Sequence, residues 1–158
     1  MSQPTLLKRV VEVLDGAGID YMITGSLASS LQGEPRATHD IDLVIQITLQ
    51  QLPELVSEGD KVDFWLLTDE PFDQMRFSRK YVEDVLGMRL KVSSPEDTIL
   101  QKLKWAMLSG GGEKAFVDAL RVYEVQQGTL DLSYMEVWAG RIGIHELWAR
   151  LKAEAEPI

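Results

Sequence analysis

The 158 residues contain no cysteine, so neither a disulfide nor a thiolate metal site can form. Histidine is nearly as scarce. Only His39 and His145 offer imidazole nitrogens, too few for a structural zinc site. Any metal must therefore sit among oxygens, and oxygen ligands favour Mg²⁺, Mn²⁺ or Ca²⁺. No run approaches the roughly 18 consecutive apolar residues of a membrane span. The opening "MSQPTLLKRVVEVL" has neither the basic stretch nor the unbroken apolar core of a signal peptide, which makes the cytoplasm the expected location. Basic charge is also short, with 16 Lys and Arg against 25 Asp and Glu and a formal net charge of −9. A protein that held nucleic acid chiefly by neutralising phosphates would carry the opposite balance. Broad nucleic-acid binding is thus excluded, and only a local basic patch stays open.

What remains is an ordinary globular composition, 45% hydrophobic and 26% charged, in a chain long enough for a self-supporting core. Leu6, Leu7, Val10, Val11 and Leu14 recur at helical spacing and stop at Gly16 and Gly18, which predicts a first helix over 5–15. "DYMIT" reads as a strand, "SLASSLQ" as a short helix from Ser26, and "GEPRATH" as a loop, since Pro35 bars a regular helix. "DIDLVIQI" alternates as a strand should, and a helix capped at Thr48 is expected next. "KVDFWLL" is a third strand, "DEPFDQMRF" a short helical or irregular link, and "KYVEDV" with "MRLKVS" a hairpin about "LG". From Ser94 onward the pattern turns helical. Ser94 as N-cap, Pro95 at N1 and Asp97 at N3 form a variant capping box. The expected division is an α/β core over 1–94 and a helical region over 95–158 packed on it.

The chemistry concentrates in "ITGSLASSLQGEPRATHDIDLVI", residues 23–45. Alternate side chains of a strand share a face, so Asp40 and Asp42 point one way while Ile41, Leu43, Ile45 and Ile47 line the other. Two carboxylates on one face repel, and when partly buried they need a compensating cation. An isolated D-x-D is otherwise just the wet edge of an amphipathic strand. Here it follows a strand, a tight "TGS" turn and a short helix. That arrangement sets Ser26 and backbone N–H groups at a helix N-terminus suited to phosphate, with Gly25 allowing close approach of the backbone. Metal-bearing carboxylates beside a phosphate-binding turn are what phosphoryl and nucleotidyl transfer require.

This stretch resembles the signature of the DNA polymerase β-like nucleotidyltransferase superfamily, and Arg36-Thr38-Asp40-Asp42 resembles its small bacterial branch of AbiEii-type toxins and minimal nucleotidyltransferases. The tail "SPEDTILQKLKWAMLSGGGEKAFVDALRVY" is similar to that branch's helical region, where a Lys and an Asp recur on successive helices. The resemblance implies an α/β fold, a mixed sheet flanked by helices with a helical C-terminal part. It implies transfer of a nucleoside monophosphate from an NTP to a hydroxyl on RNA, protein or a small molecule, with Mg²⁺ or Mn²⁺. Asp40 and Asp42 would hold the metal, and Asp63 would complete the site and deprotonate the acceptor. Asp69 and Asp73 are looser alternatives for that third carboxylate. Gly25, Ser26 and Arg36 would bind the triphosphate. Lys102 and Asp118 match the recurring pair, although a lysine at the edge of an apolar helix face commonly snorkels to water.

Other features read more plainly. "SGGGEK" is no P-loop, because it joins two helices instead of following a strand. "RFSRK", with Arg76, Arg79 and Lys80, is the densest basic run and reads first as solvated surface, second as a contact for RNA or triphosphate. Trp65, Trp105, Trp138 and Trp148 read as core or partner surface. A second functional reading stays open, a non-catalytic or weakly catalytic nucleotide-binding partner protein such as one half of a toxin–antitoxin pair. In it Trp138, Ile142, Leu147 and Leu151 would face an antitoxin or a second copy.

Overall fold

The computed structural model describes residues 2–35, 40–47, 62–110 and 112–157. The chain divides into two compact units, Met1–Thr24 with Thr38–Ser93, and Gly25–Ala37 with Ser94–Ile158. The division at Ser93–Ser94 falls where the sequence pattern turns helical, and residues 25–37 group with the later helices.

The first unit opens with α1 (Gln3–Gly16), capped by the Ser2 hydroxyl, which accepts from the Thr5 amide. Its buried residues Leu7, Val11 and Leu14 lie on one face at the spacing seen in the sequence, and α1 packs on β1 (Asp20–Thr24). The other strands are β2 (Ile41–Gln46), β3 (Val62–Leu66), β4 (Tyr81–Val85) and β5 (Met88–Val92). They form a five-stranded mixed sheet in the order β3-β2-β1-β5-β4. β1 runs antiparallel to β2 and parallel to β5, β2 runs parallel to β3, and β4 pairs antiparallel with β5. The predicted hairpin is present, and its turn residues Leu86 and Gly87 have φ of 50° and 77°. Two positive φ values in a row suit the right-handed twist of the flanking strands. The helix expected from Thr48 lies outside the described residues.

The link expected as short helix or irregular chain is a regular helix, α3 (Pro71–Ser78), with Pro71 in its first turn. Phe77 of this helix packs with Leu67, Met22 of β1 and Val44 of β2, so α3 lies on the sheet face that carries the even-numbered residues of β1 and β2. Tyr21, Ile23, Leu43 and Ile45 point the other way and are also buried. Both faces are thus covered, which explains why β2 reads as a near-continuous apolar run after its aspartates. At the start of β1, Asp20 accepts from Lys91 at 2.8 Å and from Lys80 at 3.0 Å. Partial burial opposes its ionisation, but the hydrogen bonds from Lys91 and Lys80 outweigh it and hold its carboxyl below the usual aspartate value.

The second unit is helical: α2 (Gly25–Gln32), α4 (Pro95–Leu108), α5 (Glu113–Val125), α6 (Leu132–Arg141) and α7 (His145–Glu154). The capping box forms as the sequence predicts. The Ser94 hydroxyl accepts from the Asp97 amide at 3.2 Å and donates to the Asp97 carboxylate at 2.8 Å. α4 packs on α2, α5 and α6, and α7 packs on α5 and α6. Gly33, just past α2, lies so near α5 that a Cβ there would come within 2.9 Å of the Val122 amide nitrogen. The partner surface expected on the last helices is corrected by this packing. Trp138 and Leu151 are buried, and Ile142 and Leu147 are partly covered, because α6 and α7 spend their apolar faces on α4 and α5. Among the described residues no helix is long and apolar enough to cross a membrane.

Candidate active site

Strand register assembles a row of candidate residues in the first unit. Thr24, the last residue of β1, is the partner of Asp42 on β2, and Asp42 is in turn the partner of Asp63 on β3. Directly opposed residues project to the same face, so Thr24, Asp42 and Asp63 form one row across three strands. Neighbouring strands lie about 4.8 Å apart, which brings the Asp42 and Asp63 carboxylates side by side at the rim of the sheet. Asp42 is half-buried, while Asp63 and Asp40 are exposed. Asp40 precedes β2 by one residue and shares the parity of Asp42. Arg36, Thr38 and His39 lie outside the described residues.

The row has two neighbours that the sequence did not suggest. Arg76 was expected on a solvated basic run, yet it is 6% exposed. Its Nε donates to the Asp73 carboxylate at 3.0 Å and its Nη1 donates to the Thr24 hydroxyl at 3.3 Å. A guanidinium is removed from water at a cost that its hydrogen bonds must offset, and here a carboxylate one helical turn away accepts from Nε and a strand-end hydroxyl from Nη1. Asp73, weighed as an alternative metal ligand, is instead the counter-ion of Arg76 and also accepts from Thr68. Asp69 is exposed on the segment before α3. Trp65 is the second neighbour. Read from sequence as core or partner surface, it is 49% exposed and shares the face of Asp63, two residues earlier on β3. Its indole N–H donates to the Asp42 carboxylate at 3.5 Å. The parity it shares with Asp63 was the available signal.

A fold-implied divalent ion is compatible with this donor set. Among the described residues, no group of three or more Asp, Glu or His side chains is gathered to hold a metal by itself. Mg²⁺ rarely needs such a cage, taking one or two carboxylates and completing its shell with water and substrate phosphate oxygens. A register pair of aspartates on adjacent strands offers that, with hard oxygens only.

The second unit holds the other expected residues. α2 starts at Gly25, whose φ of 65° lies in the left-handed region that favours glycine. Ser26, in its first turn, accepts at its hydroxyl from Lys102 Nζ at 3.2 Å, and the same ammonium donates to Asp118 at 2.9 Å. Lys102 does not snorkel. Its side chain is 12% exposed and that of Asp118 9%, and the pair ties α2, α4 and α5 together. Beside Asp118, a pocket of about 230 Å³ is lined by Ser29, Glu34, Pro35, Val117 and Arg121.

Comparison with known proteins bears on the fold. The aminoglycoside-2''-adenylyltransferase family matches residues 6–80, the segment that holds β1 through α3. No curated protein matches the sequence. The crystal structure of an antigenic nucleotidyltransferase-like protein from Paracoccidioides brasiliensis is similar with a TM-score of 0.61 at 17% identity, over 96% of this chain and 93% of that one. ANT(2")-Ia in complex with adenylyl-2"-tobramycin is similar with a TM-score of 0.59 at 16% identity, over 90% and 98%. The solution structure of the antibiotic-resistance factor ANT(2'')-Ia gives 0.58 at 17% identity, over 96% and 95%. None of these descriptions concerns a toxin–antitoxin pair. With its sheet order, its row of carboxylates and these likenesses, the chain carries the fold of the nucleotidyltransferase superfamily.

Proposed function

We propose that this protein transfers a nucleoside monophosphate from an NTP to a sugar hydroxyl of a cationic small molecule of the aminoglycoside class. The observation that carries the reading is the register row, which sets Asp42 and Asp63 side by side on one face. The acceptor class is supported by the family matched over residues 6–80 and by the chain's net charge of −9, which attracts polycations and repels nucleic acid.

In this mechanism Asp42, with its register partner Asp63 and with Asp40, would hold a divalent ion, which when bound would supply positive charge to the α-phosphate and the departing pyrophosphate. Asp63 takes the proton of the acceptor hydroxyl. The freed oxygen attacks the α-phosphorus, the bond from phosphorus to the bridging oxygen breaks, and pyrophosphate leaves with that electron pair. Gly25 and Ser26 bind the phosphates through backbone N–H groups and the hydroxyl, and the Lys102 ammonium adds charge to Ser26. Arg36 clamps a phosphate bidentately, a role that rests on the resemblance alone.

The test is incubation of the purified protein with each α-labelled NTP, Mg²⁺ and, in separate reactions, tobramycin, RNA and a protein extract. Labelled tobramycin with release of pyrophosphate, lost in Asp42→Asn and Asp63→Asn, is the expected result. Label on RNA or protein would keep the chemistry and change the acceptor. Tight binding of Mg²⁺-NTP with no transfer to any acceptor would overturn the enzymatic reading in favour of a binding protein.

A further inference from the structure

Trp65 stands where no apolar side chain is needed for the core. Among the described residues β3 is an edge strand of the sheet, and on it Trp65 is the register partner of Val44, as Asp63 is of Asp42. The indole is therefore displaced by one step along the same face and leans back toward Asp42, with 3.5 Å from Nε1 to the carboxylate oxygen Oδ1. Indole N–H only donates, so Trp65 cannot itself ligate a metal. It can only fix the group that does. An ionised carboxylate has about four lone-pair positions. A donor on Oδ1 restrains the rotamer of that side chain.

We infer that Trp65 is a positioning residue for the cation site, orienting Asp42 for a divalent ion. The inference rests on the reading that Asp42 holds that ion. Partners that orient metal-ligating groups commonly contribute a factor of about 10–100 to metal affinity. The 3.5 Å separation is at the long end for a hydrogen bond, so the expected loss is at the lower end, about tenfold.

The experiment is titration of the full chain with Mn²⁺ alone, without nucleotide, followed by electron paramagnetic resonance. Trp65→Phe keeps an aromatic ring, though a smaller one, and deletes the N–H, and at a half-exposed position it should leave thermal stability close to that of the wild type. It should weaken Mn²⁺ about tenfold, with Trp65→Ala at least as weak and Asp42→Asn showing no binding at this site. Mg²⁺ should also change the tryptophan emission of the wild type, a change that is lost in both Trp65→Phe and Asp42→Asn. That signal reports that the ion binds beside Trp65, and the Mn²⁺ affinity of Trp65→Phe reports whether the N–H matters. Wild-type Mn²⁺ affinity in Trp65→Phe, with Asp42→Asn inactive in binding, overturns the role of Trp65 and leaves the cation site standing. Wild-type affinity in Asp42→Asn, or no binding by the wild type at millimolar Mn²⁺, overturns the cation site and the role of Trp65 together.

Discussion

Replacing Lys102 by methionine removes an ammonium from a place that water hardly reaches, while keeping most of the apolar stem. In the wild type that ammonium is 2.9 Å from Asp118 Oδ2 and 3.2 Å from Ser26 Oγ. At this separation and an effective dielectric of about 20, the gross attraction between the two charges is about 6 kcal/mol. Most of that offsets the desolvation of the pair, so its net value is small. Deleting one partner is different, because Asp118 then stays buried without the Lys102 ammonium, a loss that costs roughly 3–5 kcal/mol in fully buried pairs. With 9% of the Asp118 side chain still exposed, relaxation toward water favours the lower figure, about 3 kcal/mol. For a chain of this size that corresponds to a fall in Tm of about 6–12 °C. Asp118→Asn in the Lys102→Met background should recover much of the loss, giving a coupling of about 2 kcal/mol. Urea unfolding of the two single variants and the double variant, compared at constant m-value, measures each quantity. Single variants within about 1 kcal/mol of wild type, the range of exposed ion pairs, would refute the claim that burial makes this pair matter.

Gly33→Ala should destabilise by about 1–3 kcal/mol in chemical unfolding, since the added methyl meets the backbone of α5 and not a side chain that can turn aside; an unchanged midpoint would show that α2 can move away. Because the folded-state pKa of Asp20 lies below its unfolded value, its contribution is complete above pH of about 4 and is lost as pH falls through the folded value. Asp20→Asn should therefore be less stable than wild type at pH 6–7, with the two curves converging once pH falls below the folded-state value; a gap that persisted there would assign the effect to something other than ionisation. Mg²⁺ at about 100 times its Kd should stabilise the wild type by about 2.7 kcal/mol and raise Tm by about 5–10 °C. Asp42→Asn should melt no lower than the wild type without metal and give no such shift, as differential scanning calorimetry would show.

Much of the fold was legible because local rules and tertiary packing agree. The Ser94-Pro95-Asp97 start of α4, the Leu-Gly turn of the hairpin and the apolar stripe of α1 each depend on residues close in sequence. The Asp40–Asp42 motif is likewise local, since parity along one strand puts both carboxylates on one side. Residues whose meaning depends on a partner far along the chain were harder to read. Arg76 sits in a run that looks like solvated surface, and only the packing of α3 on the sheet takes it to Thr24, 52 residues away. Trp138 and Leu151 looked available to a partner because a helical stripe does not say which neighbour covers it.

The sequence by itself determined the elements, the oxygen-only character of any metal site, and the pairing of Asp40 with Asp42, because periodicity, capping and composition act over a few residues. Tertiary structure decided the rest. Strand order made Asp63 the neighbour of Asp42, and Trp65 with it, because register is a property of two strands and cannot be read from one. Helix packing turned Lys102 from a candidate surface cation into the buried partner of Asp118, 16 residues away. A charge in such a place persists only when another segment of the chain brings the opposite charge to meet it.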